Sequence, residues 1–484
     1  MNYDIIIIGA GLGGLTAGAK LAKEGKKVLL IEQHDRPGGC ATTFNRKDFI
    51  FEVGLHEMDG LDARDMKTKI FRDLGVFDKV EFLKVPEFYH FVNDRLKITI
   101  PHEPEKAIEV LVESFPDEEI GIKAYFDQVL NAKKKAKESV GKEEISVGKF
   151  LDSIIKNEDL KLVLLGNLGY FHDDPYSLSL NYYSVAQGSY YNGGGNFIKG
   201  GSQKLSDYLA GYISQNGGIV ILKNFVTEII TENNKAVGVK YKANKKNTSE
   251  INSAFADEII ANAAIPNVAN MLLPKEHGEN LQQDISKHET GASLLTIYFG
   301  FKKPIKDIGN KYYSTFVYDN SVKTQANIKA NNKGDFKNRS FTFVDYSQVD
   351  SALTSKEKSV GVICCIDYYS DWNKLNKEEY KTKKEEVAEI YIEKLEKLIP
   401  GIKDQIEYYE VGTSKTVARY TLNPEGAVYG FAQTPERVRF DKIQSIDNLH
   451  FASAWTKIGG GFSGAIFSGY LCAFDILRKK RISN

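Results

Sequence analysis

The sequence predicts an α/β fold, a parallel sheet gathered from distant parts of the chain with a mixed α+β domain inserted into it. Three observations predict it. Ile5-Ile-Ile-Ile8 is a β-branched run suited to a strand buried on both faces, and it leads directly into Gly9-Ala-Gly11-Leu12-Gly-Gly14. A helical stretch with Leu15, Ala19 and Ala22 on one face is stopped by Gly25, and a second strand, Val28–Ile31, ends in Glu32. At the far end Leu449–Ala454 reads as a strand, and Gly459-Gly-Gly461-Phe-Ser-Gly464 leads into an apolar helix from about Ala465 to Leu477.

Strand, GxGxxG, helix, strand, acid is the order that a Rossmann-type dinucleotide site requires. Gly9 permits the tight turn, Gly11 lets the backbone approach a pyrophosphate, and Leu12 opens a helix whose first N–H groups are free. Gly14 lets that helix pack on the strand. Glu32 would accept from a ribose 2′-hydroxyl and repel a 2′-phosphate. Gly459–Gly464 also fits GxGxxG, but no second strand and acid follow it. It predicts a lone helix N-terminus aimed at an anion-like group.

After Glu32 the chain continues Gln33-His-Asp35-Arg36-Pro-Gly38-Gly39-Cys40. This stretch resembles the flavoprotein amine oxidase and phytoene desaturase superfamily. The resemblance implies FAD as cofactor, with Gly38 and Gly39 beside its diphosphate. Arg36 is read either as a phosphate partner or as a solvated loop charge. It also implies that Trp455, Gly461 and Gly464 close over the flavin ring, although Ser453 and Ile458 stand where glycine and proline are usual. Phe51-Glu52-Val-Gly54-Leu55-His56 resembles the F-D-x-G segment beside the flavin, with glutamate for aspartate. Gly194–Leu205 resembles the return into the cofactor domain, Val226 falls where a backbone contact to adenine is expected, and Ala256–Ala263 matches a strand closing the sheet. The run from Glu32 to Phe44, with Phe115–Phe126 and Tyr420–Gly430, is similar to retinol saturases and carotenoid isomerases.

A chain of 484 residues suits two or three domains. The expected division is a discontinuous FAD-binding domain at 1–80, 191–290 and 416–484, and a substrate domain at 81–190 and 291–415. Sixty-four basic residues balance sixty-four acidic ones, so no long-range field points to a nucleic acid. Cys40, Cys364, Cys365 and Cys472 are too scattered for a disulfide framework, and adjacent strand cysteines face opposite ways, so no metal site is expected. No basic segment precedes the first apolar run, and the uncharged stretch Tyr176–Ile198 is too polar to span a membrane. The expectation is a cytoplasmic protein. Arg478-Lys-Lys-Arg481 either complements a helix dipole or touches anionic headgroups as a peripheral contact.

Between these ends, Ala124–Lys137 reads as one helix with a solvated lysine face, and Val322–Asn338 as a mobile loop. Val387, Ile390, Tyr391, Leu395 and Leu398 mark a helix face ended by Pro400-Gly401. Tyr170, Tyr176, Tyr182, Tyr183, Tyr190 and Tyr191 form a dense aromatic group, read either as the wall of an apolar tunnel or as a core strand. His56 is read either as the acid–base group placed nearest the flavin or as a hydrogen-bonded structural histidine.

The resemblance implies hydride exchange between FAD and a carbon–carbon bond of a hydrophobic isoprenoid or polyene. Redox-neutral isomerisation or hydration of such a lipid is the alternative, followed by amine oxidation and then a non-catalytic prenyl carrier. No nicotinamide domain is visible, which leaves transiently bound NAD(P)H, a quinone or oxygen as electron partner. Oligomeric state is not legible.

Overall fold

The computed structural model describes residues 2–138, 143–245, 249–437, 445–456 and 458–482. Strand β1, Asn2–Ile8, pairs in parallel with β2, Val28–Ile31, and on its other side with Asn252–Ala261. Ile219–Ile221 adds in parallel to β2, and Leu449–Phe451 adds in parallel to Asn252–Ala261. The hairpin Asn224–Glu232 and Lys235–Ala243 extends the far edge in antiparallel fashion. Ile5–Ile8 and Val28–Ile31 are buried throughout, as a sheet covered on both faces demands. Helix α1, Leu12–Lys23, packs on this sheet with nearly every residue buried.

A second sheet has seven strands. Its antiparallel core runs Ile406–Gly412, Ser293–Phe301, Ser359–Asp367, Phe341–Asp345 and Ser314–Val317, and the hairpin Tyr89–Val92 and Lys97–Ile100 completes it. Helix Lys377–Leu398 covers one face, burying Val387, Tyr391 and Leu395. Helices between Pro104 and Gly193 build a separate apolar cluster beside the Tyr89–Val92 hairpin.

Four readings need correction. Four of the six tyrosines, Tyr182, Tyr183, Tyr190 and Tyr191, lie on a helix, Leu180–Gly193, capped by Ser179, not on a strand. Tyr170 ends a short 3-10 turn, and Tyr176 lies in a turn. Tyr182 and Tyr190 lie eight positions apart, two helical turns, and share the cavity-facing side, while Tyr183 and Tyr191 are buried in the core. The stretch from Ala124 to Lys137 belongs to two helices, Glu119–Leu130 and Ala132–Glu138, separated at Asn131. Val322–Asn338 is ordered through tertiary bonds. It contains helix Ile328–Lys333, Val322 and Gln325 are buried, and the Gln325 and Asn332 amides donate to the Gly148 and Asp173 carbonyls at 3.1 and 2.9 Å. The C-terminal strand spans only Leu449–Phe451, and the last helix begins earlier, Gly461–Ile482. The side chains of Lys480 and Arg481 lie outside the described residues, so the cationic end is represented only by exposed Arg478 and Lys479.

Candidate functional site

A cavity of about 1060 Å³ opens where the C-terminal ends of β1 and β2 meet the helix N-termini at Leu12 and Gly461. Parallel-sheet connections leave their crevice at this edge. Gly9, Gly11, Leu12, Gly38 and Gly39 contribute backbone to the wall, and Gly461 and Gly464 face the same space. Both helices of the crevice therefore present unpaired first-turn N–H groups and a positive dipole end to it.

Close packing explains the glycines. Gly9 has φ +94°, and a Cβ there would lie 2.5 Å from the Asn262 carbonyl oxygen. A Cβ on Gly11 would lie 2.9 Å from Asn262 Nδ2, which itself donates to the Gly9 carbonyl at 3.0 Å. Asn262 thus braces the loop, a role the sequence reading missed although it placed the strand that carries it. Gly14 is not in the wall. A Cβ on it would overlap the Gly9 carbonyl, so its part is helix-to-strand packing.

The Glu32 carboxylate accepts from Ala10 N at 2.6 Å and His34 N at 2.9 Å, and Glu32 lines the cavity together with Val226 and Trp455. Arg36 does not. Its guanidinium donates to the Thr43 carbonyl at 2.9 Å, pairs with Asp35 at 3.4 Å, and is half exposed. Of the two readings of Arg36, these partners and its exposure fit the solvated loop charge. A closely packed glycine cradle, an acid at the end of β2 and two helix N-termini together fit an FAD-like dinucleotide.

Glu52 is an anchor. Its carboxylate accepts from Gly54 N, Leu55 N, Ser202 N and Ser202 Oγ at 2.7–3.0 Å. Burial pushes its pKa up, and these four bonds oppose the rise. The extra methylene relative to aspartate does not prevent it from tying the 52–55 segment to the return at Gly201-Ser202. Tyr346 and Tyr313 hydroxyls then donate to the Leu55 and His56 carbonyls at 3.0 and 2.6 Å, fixing the next two residues.

His56 lines the cavity, and its Nδ1 meets the Tyr170 hydroxyl at 2.9 Å. Burial lowers its pKa to about 4, so the ring is neutral at physiological pH. Beyond His56 the wall turns aromatic and apolar, with Tyr170, Phe171, Tyr182, Leu294, Tyr298 and Tyr429. Cys364 faces this chamber, whereas Cys365 accepts from the Tyr391 hydroxyl on the other side of its strand. Four carboxylates of the wall, Glu57, Asp59, Asp62 and Asp65, had no place in the sequence reading. Asp59 is paired with fully buried Lys67 at 3.0 Å, and Glu57 has an oxygen without any partner.

Residues 12–477 match the family described as flavin containing amine oxidoreductase. An all-trans-retinol 13,14-reductase of Danio rerio is 26% identical, with 99% of this chain and 86% of that protein covered. A chloroplastic prolycopene isomerase of Daucus carota is 29% identical over 98% of this chain and 80% of its own. Among solved structures, an oxidoreductase from Methanosarcina mazei superposes with TM-score 0.67 at 17% identity, covering 99% of this chain and 100% of that one. A putrescine oxidase gives TM-score 0.65 at 14% identity with 99% of both chains covered. At these identities the two structures show a shared fold.

Proposed function

The chain belongs to the flavin-containing amine oxidoreductase family, and from that premise we propose that it is an FAD-dependent enzyme acting on a carbon–carbon bond of a long hydrophobic isoprenoid or polyene. Saturation or desaturation is the first reading. Bound FAD would supply two-electron hydride chemistry. The residues of this chain would do the rest. The Gly9–Gly14 loop and the N-terminus of α1 hold a diphosphate, Glu32 accepts from a ribose hydroxyl, and the Gly461 helix end offers its dipole to the ring. Tyr170, Tyr182, Tyr298 and Tyr429 give flat, stiff walls that exclude water and align a conjugated chain.

One observation carries the proposal: the cavity that the glycine cradle lines is continuous with the aromatic chamber beyond His56. A redox-neutral isomerase of the same class of lipid is the second reading, supported by the similar coverage of this chain, 98% and 99%, by a prolycopene isomerase and a retinol reductase. Met66, Val185 and Leu471 are exposed in the cavity wall, which Lys133 and Lys134 also line. Such a rim suits peripheral contact with an anionic lipid layer, from which the substrate would partition. Among the described residues no helix is long and apolar enough to cross a membrane.

The test is to reconstitute the purified chain with FAD and offer retinol, prolycopene and putrescine, with NADPH or NADH as transient reductant. Chromatography and mass spectrometry should show a polyene product two hydrogens heavier or lighter, or an isomer of unchanged mass. Oxidation of the amine alone would overturn the reading.

A further inference from the structure

Glu57 sits on the segment that Glu52, Tyr346 and Tyr313 pin in place. It is 8% exposed, and it lines the cavity. Its Oε2 has no hydrogen-bond partner and lies against Gly195, where any Cβ would overlap it. No described ion pair includes it. The nearby cation, Lys67, is committed to Asp59 at 3.0 Å and Asp65 at 3.2 Å.

Glu87, Asp59, Tyr170, Tyr190 and Tyr313 are the groups whose charge acts on Glu57, and none of them is a cation; His56 precedes it in the chain, and Lys84 packs against the neighbouring Gly194. A buried, unpaired carboxylate among such neighbours is costly, and the group lowers that cost by keeping its proton. Burial first, then Glu87 and Asp59, push the Glu57 carboxyl well above the usual range. Other acids of the wall suit the task less. The His56 ring is neutral and bonded to Tyr170, and burial holds the Tyr170 and Tyr190 hydroxyls well above their ordinary pKa.

We propose that Glu57 is the proton donor of this cavity, delivering the proton of its un-ionised carboxyl to one carbon of a ligand double bond. The inference rests on the polyene reading above. The carboxyl O–H bond breaks, and the π electron pair forms the new C–H bond. The neighbouring carbon, now electron-deficient, would take up the hydride that bound reduced FAD would supply, which would complete saturation. In the redox-neutral case the bond rotates, the same proton returns to Glu57, and the geometric isomer is left. Either way Glu57 ends as it must for turnover, reprotonated from solvent in the first case and by the ligand in the second.

The experiment compares the full-length FAD-loaded chain with Glu57→Gln and Glu57→Asp. Substrate-free infrared spectra at neutral pH should show an un-ionised carboxyl band that moves in D2O and is lost in Glu57→Gln. Flavin absorbance should show equal FAD content in all three. Polyene turnover should fall at least about 100-fold in Glu57→Gln and recover in part in Glu57→Asp. Identical infrared spectra, or Glu57→Gln turnover within threefold of the parent at equal FAD content, would overturn the proposal. A parent enzyme that leaves every polyene unchanged overturns the substrate reading instead, and the infrared comparison still decides the state of Glu57.

Discussion

Gly469 meets Gly13 at backbone contact, so that a methyl group on Gly469 would overlap the Gly13 carbonyl. The first helix of the chain and the last thus cross at the crevice with no side chain between them. A Cβ on Gly13 would in turn press into the Ala452 carbonyl. Helix, strand and helix are locked in one stack, and the spacing of the two positive helix ends is set by these glycines.

Gly469→Ala should therefore separate the two helix ends. We expect a loss of about 1–3 kcal/mol from overpacking, together with weaker FAD retention, read by thermal melts and flavin absorbance of the same preparation.

Gly11→Val places a branched side chain where only 2.9 Å separates a Cβ from Asn262 Nδ2. The variant should fold but purify colourless and stay so after incubation with FAD. Normal flavin content in it would refute the assignment of this loop.

Glu52→Ala leaves the donors of Gly54, Leu55 and Ser202 unmet in a buried site. A cost of about 2–4 kcal/mol is expected from several lost charge-assisted bonds. Denaturant titration measures it, and Glu52→Asp should lose less because a carboxylate remains.

Lys67→Met removes the cation that Asp59 and Asp65 share. Uncompensated buried carboxylates cost about 3–5 kcal/mol. Asp59→Asn in the same background should restore part of the loss, since it deletes one of the stranded charges.

The Glu57 carboxyl predicts a pH dependence with a definite sign. The folded chain keeps a proton that the unfolded chain releases above about 4.5. The unfolded state then binds fewer protons, so rising pH destabilises the parent by up to about 1.4 kcal/mol per unit until the raised folded pKa is reached. Glu57→Gln carries no such proton. Its melting temperature relative to the parent should climb between pH 5 and pH 8, and a constant difference would contradict a protonated Glu57.

The opening βαβ unit was legible because each glycine there does a job that local backbone geometry defines. The Gly461 helix end was legible for the same reason, since its glycines and apolar run are contiguous. Other features depend on residues that only folding brings together. The Leu180–Gly193 helix has tyrosines facing both the cavity and the core, which erases the polar face that would mark a surface helix. Val322–Asn338 looked solvated, yet Gln325 and Asn332 spend their amides on the distant Gly148 and Asp173 carbonyls. Asn262 acquires its role from the Gly9–Gly14 loop, and Glu57 from Gly195, neither of which spacing along the chain can reveal. Arg36 was drawn outward by the Thr43 carbonyl, a partner set by the Thr43–Arg46 hairpin strand.

The Gly13–Gly469 contact also orders events during synthesis. Domains generally fold as they leave the ribosome, N-terminal portions first. Here the strand–loop–helix unit emerges at once, while the helix that closes over it is translated long afterwards. On the proposed reading, a nascent chain stopped before residue 461 would carry only the Gly9–Gly14 half of the site, and FAD would be retained only once the final helix has been made.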